Sequence, residues 1–109
     1  MNKFNARKVT RGGQTFDSQT EYKRWLVLRD SERRGEIRDL RRQVKFELTP
    51  AYPAVGLRAM TYTADFVYTF GGKTVVEDVK GLTKGAAYEL FKAKKKMLYF
   101  RYGYLVTEV

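Results

Sequence analysis

The sequence predicts one mixed α/β domain in which a helix is followed by three strands, a second helix and a last strand. Apolar residues with helical spacing over 18–34 give way to alternation of apolar and polar residues from Ile37 onward. Two further β-rich runs at 61–80 are joined by a Gly-Gly pair, which is typical of a hairpin. Because the chain has 109 residues, it has room for a single core.

The first helix has signals at both ends. Ser18 with Glu21 three residues later fits a capping box, and Gly35 after two arginines fits the helix end, so the helix is expected over about 18–34. The apolar stripe expected to be buried consists of Tyr22, Trp25, Leu26 and Leu28. Glu21 falls on the same side as Trp25 and is therefore expected to lean toward the sheet.

Three strands are predicted after this helix. The first shows alternation over 43–48 and is ended by Pro50. After a loop, two strands over about 61–70 and 74–80 form a hairpin that turns at Gly71-Gly72.

A second helix and a terminal strand complete the predicted order. The helix begins after Gly81, with Thr83 as its expected cap, and the last segment, 102–109, is predicted to be the terminal strand. The core-facing residues of the helix are expected to be Ala87, Leu90, Phe91, Met97 and Leu98. Residues 1–15 are basic and polar with little periodicity, and they predict a flexible arm ahead of one domain over 16–109.

Composition limits the chemistry and the partners. The chain has no cysteine and no histidine, so any metal must be held by oxygen ligands. No long apolar run or secretory leader is present, and we expect a soluble, intracellular protein without a membrane partner. The 22 lysines and arginines exceed the 12 acidic residues by ten, and this surplus favours nucleic acid as the partner over a merely solvated basic surface.

The hairpin carries the residues that indicate catalysis. Asp78 and Lys80 share one face of the second strand, and the hairpin is expected to bring Asp65 within a metal's reach of them. Asp65, Asp78 and the carbonyl of Val79 are the predicted ligands of Mg²⁺, for which Mn²⁺ is expected to substitute. Lys80 is predicted to orient the attacking water and neutralise phosphate charge. Glu77, on the opposite face, is expected to pair with a basic group on a helix.

Each of these residues also has a simpler interpretation. Glu21 is predicted to hold a metal-bound water or a second ion, or else only to complete the capping box. Gln43 is predicted to bond the scissile phosphate or the attacking water, or else only backbone groups. Asp65 has the alternative of a solvated carboxylate at a strand edge, and Asp78 with Lys80 that of a salt bridge along the strand.

A basic and aromatic surface is predicted to contact nucleic acid. Its residues are Lys92, Lys95, Lys96, Tyr88 and Tyr99 on the second helix, with Arg11 and Lys8 on the arm. The alternative is a solvated helix face. No base-reading motif is evident, so recognition of branches, flaps or junctions is expected in preference to recognition of a sequence.

The motifs together resemble the PD-(D/E)XK nuclease superfamily. Asp65, Asp78 and Lys80 match its metal carboxylate and its (D/E)-x-K tripeptide, and Glu21 matches the S-x-x-E element of several members. Ala64 stands where the superfamily name has proline, and aspartate replaces the commoner glutamate. The resemblance covers about 14–109. It implies a restriction-endonuclease-like core in the order α-β-β-β-α-β, with a mixed central sheet flanked by helices.

More narrowly, the runs F-D-S-x-x-E, Y-x-A-D-F and E-D-V-K-G look like a small phage and prophage family of unassigned function. The implied setting is DNA recombination or replication in the cytoplasm of a bacterial host. The resemblance implies a Mg²⁺-dependent, structure-selective DNA endonuclease, in its most specific version a Holliday junction resolvase acting as a homodimer. The alternatives are a nuclease-fold module that binds DNA without chemistry and a nuclease that acts on RNA.

Overall fold

The computed structural model describes residues 8–79 and 84–109. These residues form a mixed α/β fold with two helices, a two-stranded sheet and a four-stranded mixed sheet, as the sequence predicts in outline. The elements in chain order are β1 (Val9–Arg11), β2 (Gln14–Phe16), α1 (Gln19–Arg33), β3 (Arg38–Thr49), a 3₁₀ turn (Pro53–Val55), β4 (Met60–Phe70), β5 (Lys73–Asp78), α2 (Ala86–Tyr102) and β6 (Val106–Glu108).

The larger sheet has the strand order β3-β4-β5-β6. Strands β3, β4 and β5 pair antiparallel, whereas β6 pairs parallel to β5 after the α2 crossover. The predicted hairpin of β4 and β5 is confirmed: Phe70 pairs with Lys73, and both Gly71 and Gly72 have positive φ values of 59° and 78°. Glycine adopts such angles at both positions without steric cost, so this pair suits the tight turn that sets the register of the hairpin.

Two apolar clusters lie on the two faces of this sheet. The cluster that includes residues of α2 consists of Leu48, Tyr62, Ala64, Val67, Val76, Phe91 and Leu98. The cluster that includes Leu28 of α1 consists of Leu28, Ile37, Phe66 and Tyr68, with Trp25 packed against it. The ring of Trp25 stacks on Phe66 at 6.3 Å between centroids. We call these two sides of the sheet the α2 face and the α1 face.

Partway along β3, and again along β4, the regular alternation of side chains between the two faces of the sheet is interrupted. Val44 packs on the α2 face and Leu40 on the α1 face, although the two are separated by an even number of residues. Ala64 and Phe66 show the same reversal on β4. Gln43 has a φ of 52°, in the left-handed region that a side chain other than glycine rarely adopts. This conformation at Gln43 breaks the alternation of β3 beside the point where β4 also reverses.

The capping box at the start of α1 is confirmed. The Ser18 hydroxyl accepts a hydrogen bond from the Glu21 backbone N–H at 3.1 Å, and the Glu21 carboxylate accepts from the Asp17 backbone N–H at 2.6 Å. The helix ends at the cap residue Arg34, followed by Gly35 with a φ of 76°. Both helix boundaries therefore lie where the sequence predicts them.

Replacing Ser18 by alanine is expected to lower the free energy of unfolding by about 1 kcal/mol, because the Glu21 N–H then loses its cap acceptor. Thermal unfolding followed by circular dichroism measures the change, which corresponds to a lower Tm by roughly 4–8 °C. Thr20→Ala is the matched control, since Thr20 lies in the same turn with an exposed side chain. Equal losses for Ser18→Ala and Thr20→Ala would contradict this role of the Ser18 hydroxyl.

The structure differs from the sequence prediction in the region of the basic arm. Residues 1–7 of that arm lie outside the described residues, but 9–16 form the β1-β2 hairpin, and Val9 and Phe16 are buried. The guanidinium of Arg42 lies 3.8 Å from the centroid of the Phe16 ring and donates to the Thr15 carbonyl at 2.8 Å. These contacts with β3 hold the hairpin against the domain.

Three helix positions predicted to be buried are exposed. Leu26 is 45% exposed and Leu90 is 51% exposed, and Ala87 is also exposed. Leu90 and Ala87 line an open groove rather than the core, as described below. Phe91 and Leu98 are buried as predicted, and the predicted cap Thr83 lies outside the described residues. In the part of the chain that the structure describes, neither helix is long and apolar enough to cross a membrane.

Candidate active site

Four segments meet where β3 and β4 reverse their faces. The Gln43 side-chain amide donates to Glu21 Oε2 at 2.9 Å and to Asp65 Oδ1 at 3.2 Å. The other oxygen of Asp65, Oδ2, accepts from the Val79 backbone N–H at 2.8 Å. The network thus joins α1, β3, β4 and the end of β5, and it fixes both carboxylate oxygens of Asp65. We call Glu21, Gln43, Asp65 and Asp78 the carboxylate site.

Glu21 is the most deeply buried member, with only 2% of its surface exposed. Burial raises the pKa of its carboxyl, and the negative charge of Asp65 acts in the same direction. The hydrogen bond from the Asp17 backbone lowers the pKa in part. The Arg42 guanidinium lies 3.9 Å from Glu21 Oε2. The prediction that Glu21 leans toward the sheet is confirmed. One oxygen of its carboxylate accepts from the Asp17 N–H in the capping box, and the other accepts from Gln43.

The raised pKa of Glu21 predicts a pH-dependent effect on stability. Since the folded-state pKa lies above the ordinary value of 4.5, the folded protein loses stability as the pH rises from 4.5 through that higher pKa. Glu21→Gln removes this titration. Between pH 4 and pH 8 the unsubstituted protein should therefore lose stability relative to Glu21→Gln. The difference in Tm, variant minus unsubstituted protein, should increase over this range when measured by circular dichroism. A difference independent of pH would contradict the assigned cause.

Asp78 lies beside this network at the end of β5. It is 7% exposed, and its carbonyl accepts a hydrogen bond from the Val109 backbone N–H at 3.0 Å. Burial strongly raises the pKa of the neighbouring Tyr62 hydroxyl, and the negative charges of Asp78 and Asp65 add to the effect. Both carboxylates therefore act on one hydroxyl on the α2 face. The solvated strand-edge alternative does not describe Asp65, which is half-buried with both oxygens bonded.

The predicted metal ligands can be compared with what Mg²⁺ requires. Mg²⁺ takes oxygen ligands and is commonly held by one or two carboxylates together with several waters. Asp65 retains free lone pairs beyond its two hydrogen bonds, and Asp78 with the Val79 carbonyl follows directly on the neighbouring strand. Within residues 8–79 and 84–109, no three acidic side chains converge as one metal-binding group. A Mg²⁺ ion held here would therefore depend on two carboxylates with several waters and not on a closed protein cage.

Lys80, the predicted catalytic lysine, lies outside the described residues. The alternative of a salt bridge from Lys80 to Asp78 lies outside them for the same reason.

Glu77 pairs with a basic residue on a helix, as the sequence predicts. Arg24 of α1 donates two hydrogen bonds to its carboxylate, at 2.8 Å and 2.6 Å, and the Tyr68 hydroxyl donates a third. Glu77 is 1% exposed. The hydrogen bond with Glu77 raises the pKa of Arg24. Burial, and to a smaller extent the hydrogen bond with Glu77, raises the pKa of Tyr68 to about 12. This triad lies on the α1 face and fixes β5 one residue before Asp78.

Four of the seven residues predicted to contact nucleic acid form ion pairs or hydrogen bonds within the protein. Lys8 pairs with Asp17 at 3.4 Å, and Arg11 donates to the Thr10 carbonyl. Lys92 pairs with Glu89 at 3.0 Å, and this bond raises the pKa of Lys92. Lys95 pairs with Glu108 at 2.7 Å. The remaining three residues are a half-buried Tyr88 and exposed Tyr99 and Lys96.

A groove on the α2 face contains residues that sequence reasoning did not place in the site. Its volume is about 350 Å³. We call it the Asp78 groove; it is lined by Thr61, Tyr62, Thr63, Asp78, Ala87, Leu90, Phe91 and Lys94. Lys94 belongs to the lysine run visible in the sequence. That its side chain lines this groove became evident only from the position of α2 against the sheet. Tyr62 gave no signal beyond strand alternation.

The fold and site define a small mixed α/β protein with a carboxylate-centred site at the end of its hairpin. Over residues 1–108 the chain matches the model of a family described as "Protein of unknown function (DUF1064)", and it belongs to that family. No curated protein matches it, and no solved structure matches it.

Proposed function

We propose that this protein is a Mg²⁺-dependent, structure-selective DNA endonuclease that hydrolyses phosphodiester bonds, with a restriction-endonuclease-like core. The main support is the position of Asp65 in the middle of β4, next to the Phe66–Glu77 pair, beside Asp78 at the end of antiparallel β5, where Val79 N–H contacts Asp65. The order of elements supports the same assignment, since from α1 to β6 a helix is followed by three strands, a second helix and a last strand. The resemblance to PD-(D/E)XK nucleases provides the reaction class.

The residues of the carboxylate site have distinct roles in this proposal. Asp65, Asp78 and the Val79 carbonyl would hold the metal, and Gln43 and the Val79 N–H keep the Asp65 carboxylate in one orientation. A bound Mg²⁺ supplies an activated water and positive charge at the phosphate. Glu21 would hold a metal-bound water or a second ion at the inner end of the network, where burial raises the pKa of its carboxyl. Lys80 is proposed to orient the attacking water.

The charge of the protein supports a polyanionic substrate. The net charge is +10, and many exposed basic side chains have no ion pair among the described residues. These residues are Arg11, Lys23, Arg29, Arg38, Arg41, Lys45, Arg58, Lys73, Lys84 and Lys96. They are distributed over both helices, three strands and connecting segments, so they favour contact with an extended phosphate backbone over a single small anion. A phage or prophage origin and action in the bacterial cytoplasm are part of this proposal.

A junction-resolving activity requires two symmetric cuts, and one site per chain would provide them only in a homodimer. Size-exclusion chromatography with light scattering measures the oligomeric state. A dimer supports the resolvase version, whereas a stable monomer favours flap cleavage or nicking.

The substrate class is tested with a labelled panel of four-way junction, flap, fork, linear duplex and single-stranded DNA, with a matched RNA set. Each is incubated with Mg²⁺, with Mn²⁺ or with EDTA. We expect metal-dependent cutting of branched DNA in preference to linear duplex. Preferential cutting of RNA would make the protein a ribonuclease. Binding of every substrate without cutting would favour a nuclease-fold recruitment module and overturn the proposal.

A further inference from the structure

We infer that the Asp78 groove binds one unpaired nucleotide of the DNA next to the scissile phosphate, with Lys94 contacting its phosphate. This inference rests on the proposed function and names the substrate feature that the same site recognises. It adds to the carboxylate site a binding position on α2 that is separate from the predicted Lys92 and Lys95 surface. The position accounts for selectivity toward flaps and forks, because those structures offer nucleotides without a pairing partner.

The size and lining of the groove carry the inference. A volume of about 350 Å³ lies at the lower end of the range of small-molecule sites, roughly 300–1,000 Å³, which suits one nucleotide rather than a base pair. One wall is apolar, with Leu90 51% exposed above Phe91. The residues Thr61, Tyr62 and Thr63 of β4 also line the groove and bring hydrogen-bonding groups to it. Apolar surface beside hydrogen-bonding groups suits the face and the edge of a base.

The charges in the groove set the orientation of that nucleotide. Lys94 is half-buried along the groove and has no ion pair within the described part of the chain, in contrast to Lys92 and Lys95. Its ammonium is therefore available to a phosphate. The buried Asp78 repels phosphate unless a cation lies between them. A strand whose base enters the groove would thus place one phosphate at Lys94 and the next on the side of Asp78, where a bound cation would screen the carboxylate.

The test measures binding without cleavage. The probe is a fluorescein-labelled single-stranded oligonucleotide titrated with protein in EDTA, and fluorescence anisotropy gives its Kd. Lys94→Met removes the charge and keeps the stem, and it is expected to weaken binding about tenfold. The slope of log Kd against log salt should fall by about 0.7, the loss of one phosphate contact on a single strand. Binding of a blunt duplex of equal length should change less than threefold.

Arg101→Met is the matched control, because Arg101 is exposed on the same helix, is paired with Glu47 and is not part of the groove lining. Its effect on the single-strand Kd should stay below threefold. Leu90→Glu provides a second probe at a half-exposed position that tolerates a polar side chain, and it should also weaken single-strand binding selectively. A 2-aminopurine at the unpaired position of a flap should change its fluorescence on binding, and Leu90→Glu should remove that change.

The outcomes separate this inference from the proposed function. Equal losses for Lys94→Met and Arg101→Met, or equal losses on single strand and duplex, would overturn the groove and leave a general basic surface. If Lys94→Met and Leu90→Glu act as expected while no substrate is cut with Mg²⁺, the groove stands and the nuclease proposal fails. Cutting by the unsubstituted protein at rates that neither variant changes, with unchanged Kd values, would reject the groove and retain the nuclease.

Discussion

Asp65→Asn is expected to lower the rate of DNA cleavage on the order of a thousandfold or more, which corresponds to about 4 kcal/mol of transition-state stabilisation. Asparagine keeps the shape of the side chain and an oxygen that accepts from Val79 N–H, but it removes the negative charge that would hold the metal. The Gln43 amide, which now donates to Asp65 Oδ1, would face a second amide and has to reorient. Folding should therefore be retained while turnover is lost.

Three readouts distinguish this result from general damage. Single-turnover cleavage gives the rate, anisotropy in EDTA gives the DNA Kd, and circular dichroism gives the Tm. The Kd is expected to stay within about threefold or to improve, because a negative charge near the phosphates has been removed. Glu47→Gln is the matched control, since it makes the same change of charge at an exposed site four residues beyond Gln43 on β3. Cleavage by Asp65→Asn within tenfold of the unsubstituted rate would exclude Asp65 as a metal ligand.

Arg24→Met is expected to lower the free energy of unfolding by about 3 kcal/mol, because it leaves the Glu77 carboxylate buried without its positive partner. Glu77 is 1% exposed and depends on Arg24 and Tyr68 for its hydrogen bonds. The value lies at the low end for a buried pair, since the Arg24 side chain is itself 32% exposed and is screened by water. Urea denaturation measures the effect.

The two partners of this pair should not be equivalent. Glu77→Gln leaves an arginine that water can reach, so it is expected to lower the free energy of unfolding by only about 1 kcal/mol. The double variant Arg24→Met/Glu77→Gln should be more stable than Arg24→Met alone, because the unpaired buried charge is gone. Arg33→Met breaks an exposed ion pair with Asp30 on the same helix and should cost less than about 0.5 kcal/mol. A similar cost for Arg24→Met and Arg33→Met would contradict the stabilising role of the triad.

The parts of the fold that local chemistry determines were predictable from the sequence. The Ser18 cap, the turn at Gly71-Gly72 and the end of β3 before Pro50 depend on a few neighbouring residues, and all three are confirmed. The burial of Glu21 was predictable from helical spacing. The pairing of Glu77 with a helix followed from its position opposite Asp78, because a buried carboxylate requires a partner.

The parts that depend on tertiary contacts were not predictable. The β1-β2 hairpin has strands of three residues each, too short to show alternation, and Arg42 holds it from a strand distant in sequence. The reversal of β3 occurs at Gln43, whose residue type does not indicate a positive φ. The exposure of Leu90 depends on which part of α2 the sheet covers, and helical spacing alone does not specify this.

The central claim is that the Asp65 and Asp78 carboxylates support metal-dependent cleavage of DNA. It is tested most directly by single-turnover cleavage of a labelled four-way junction, with protein in excess, in Mg²⁺ and in EDTA, for the unsubstituted protein and Asp78→Asn side by side. We predict cleavage only with Mg²⁺ and only by the unsubstituted protein, with both proteins binding the junction. Cleavage that persists in Asp78→Asn or in EDTA, or its absence from the unsubstituted protein with Mg²⁺ and Mn²⁺ alike, would contradict the account.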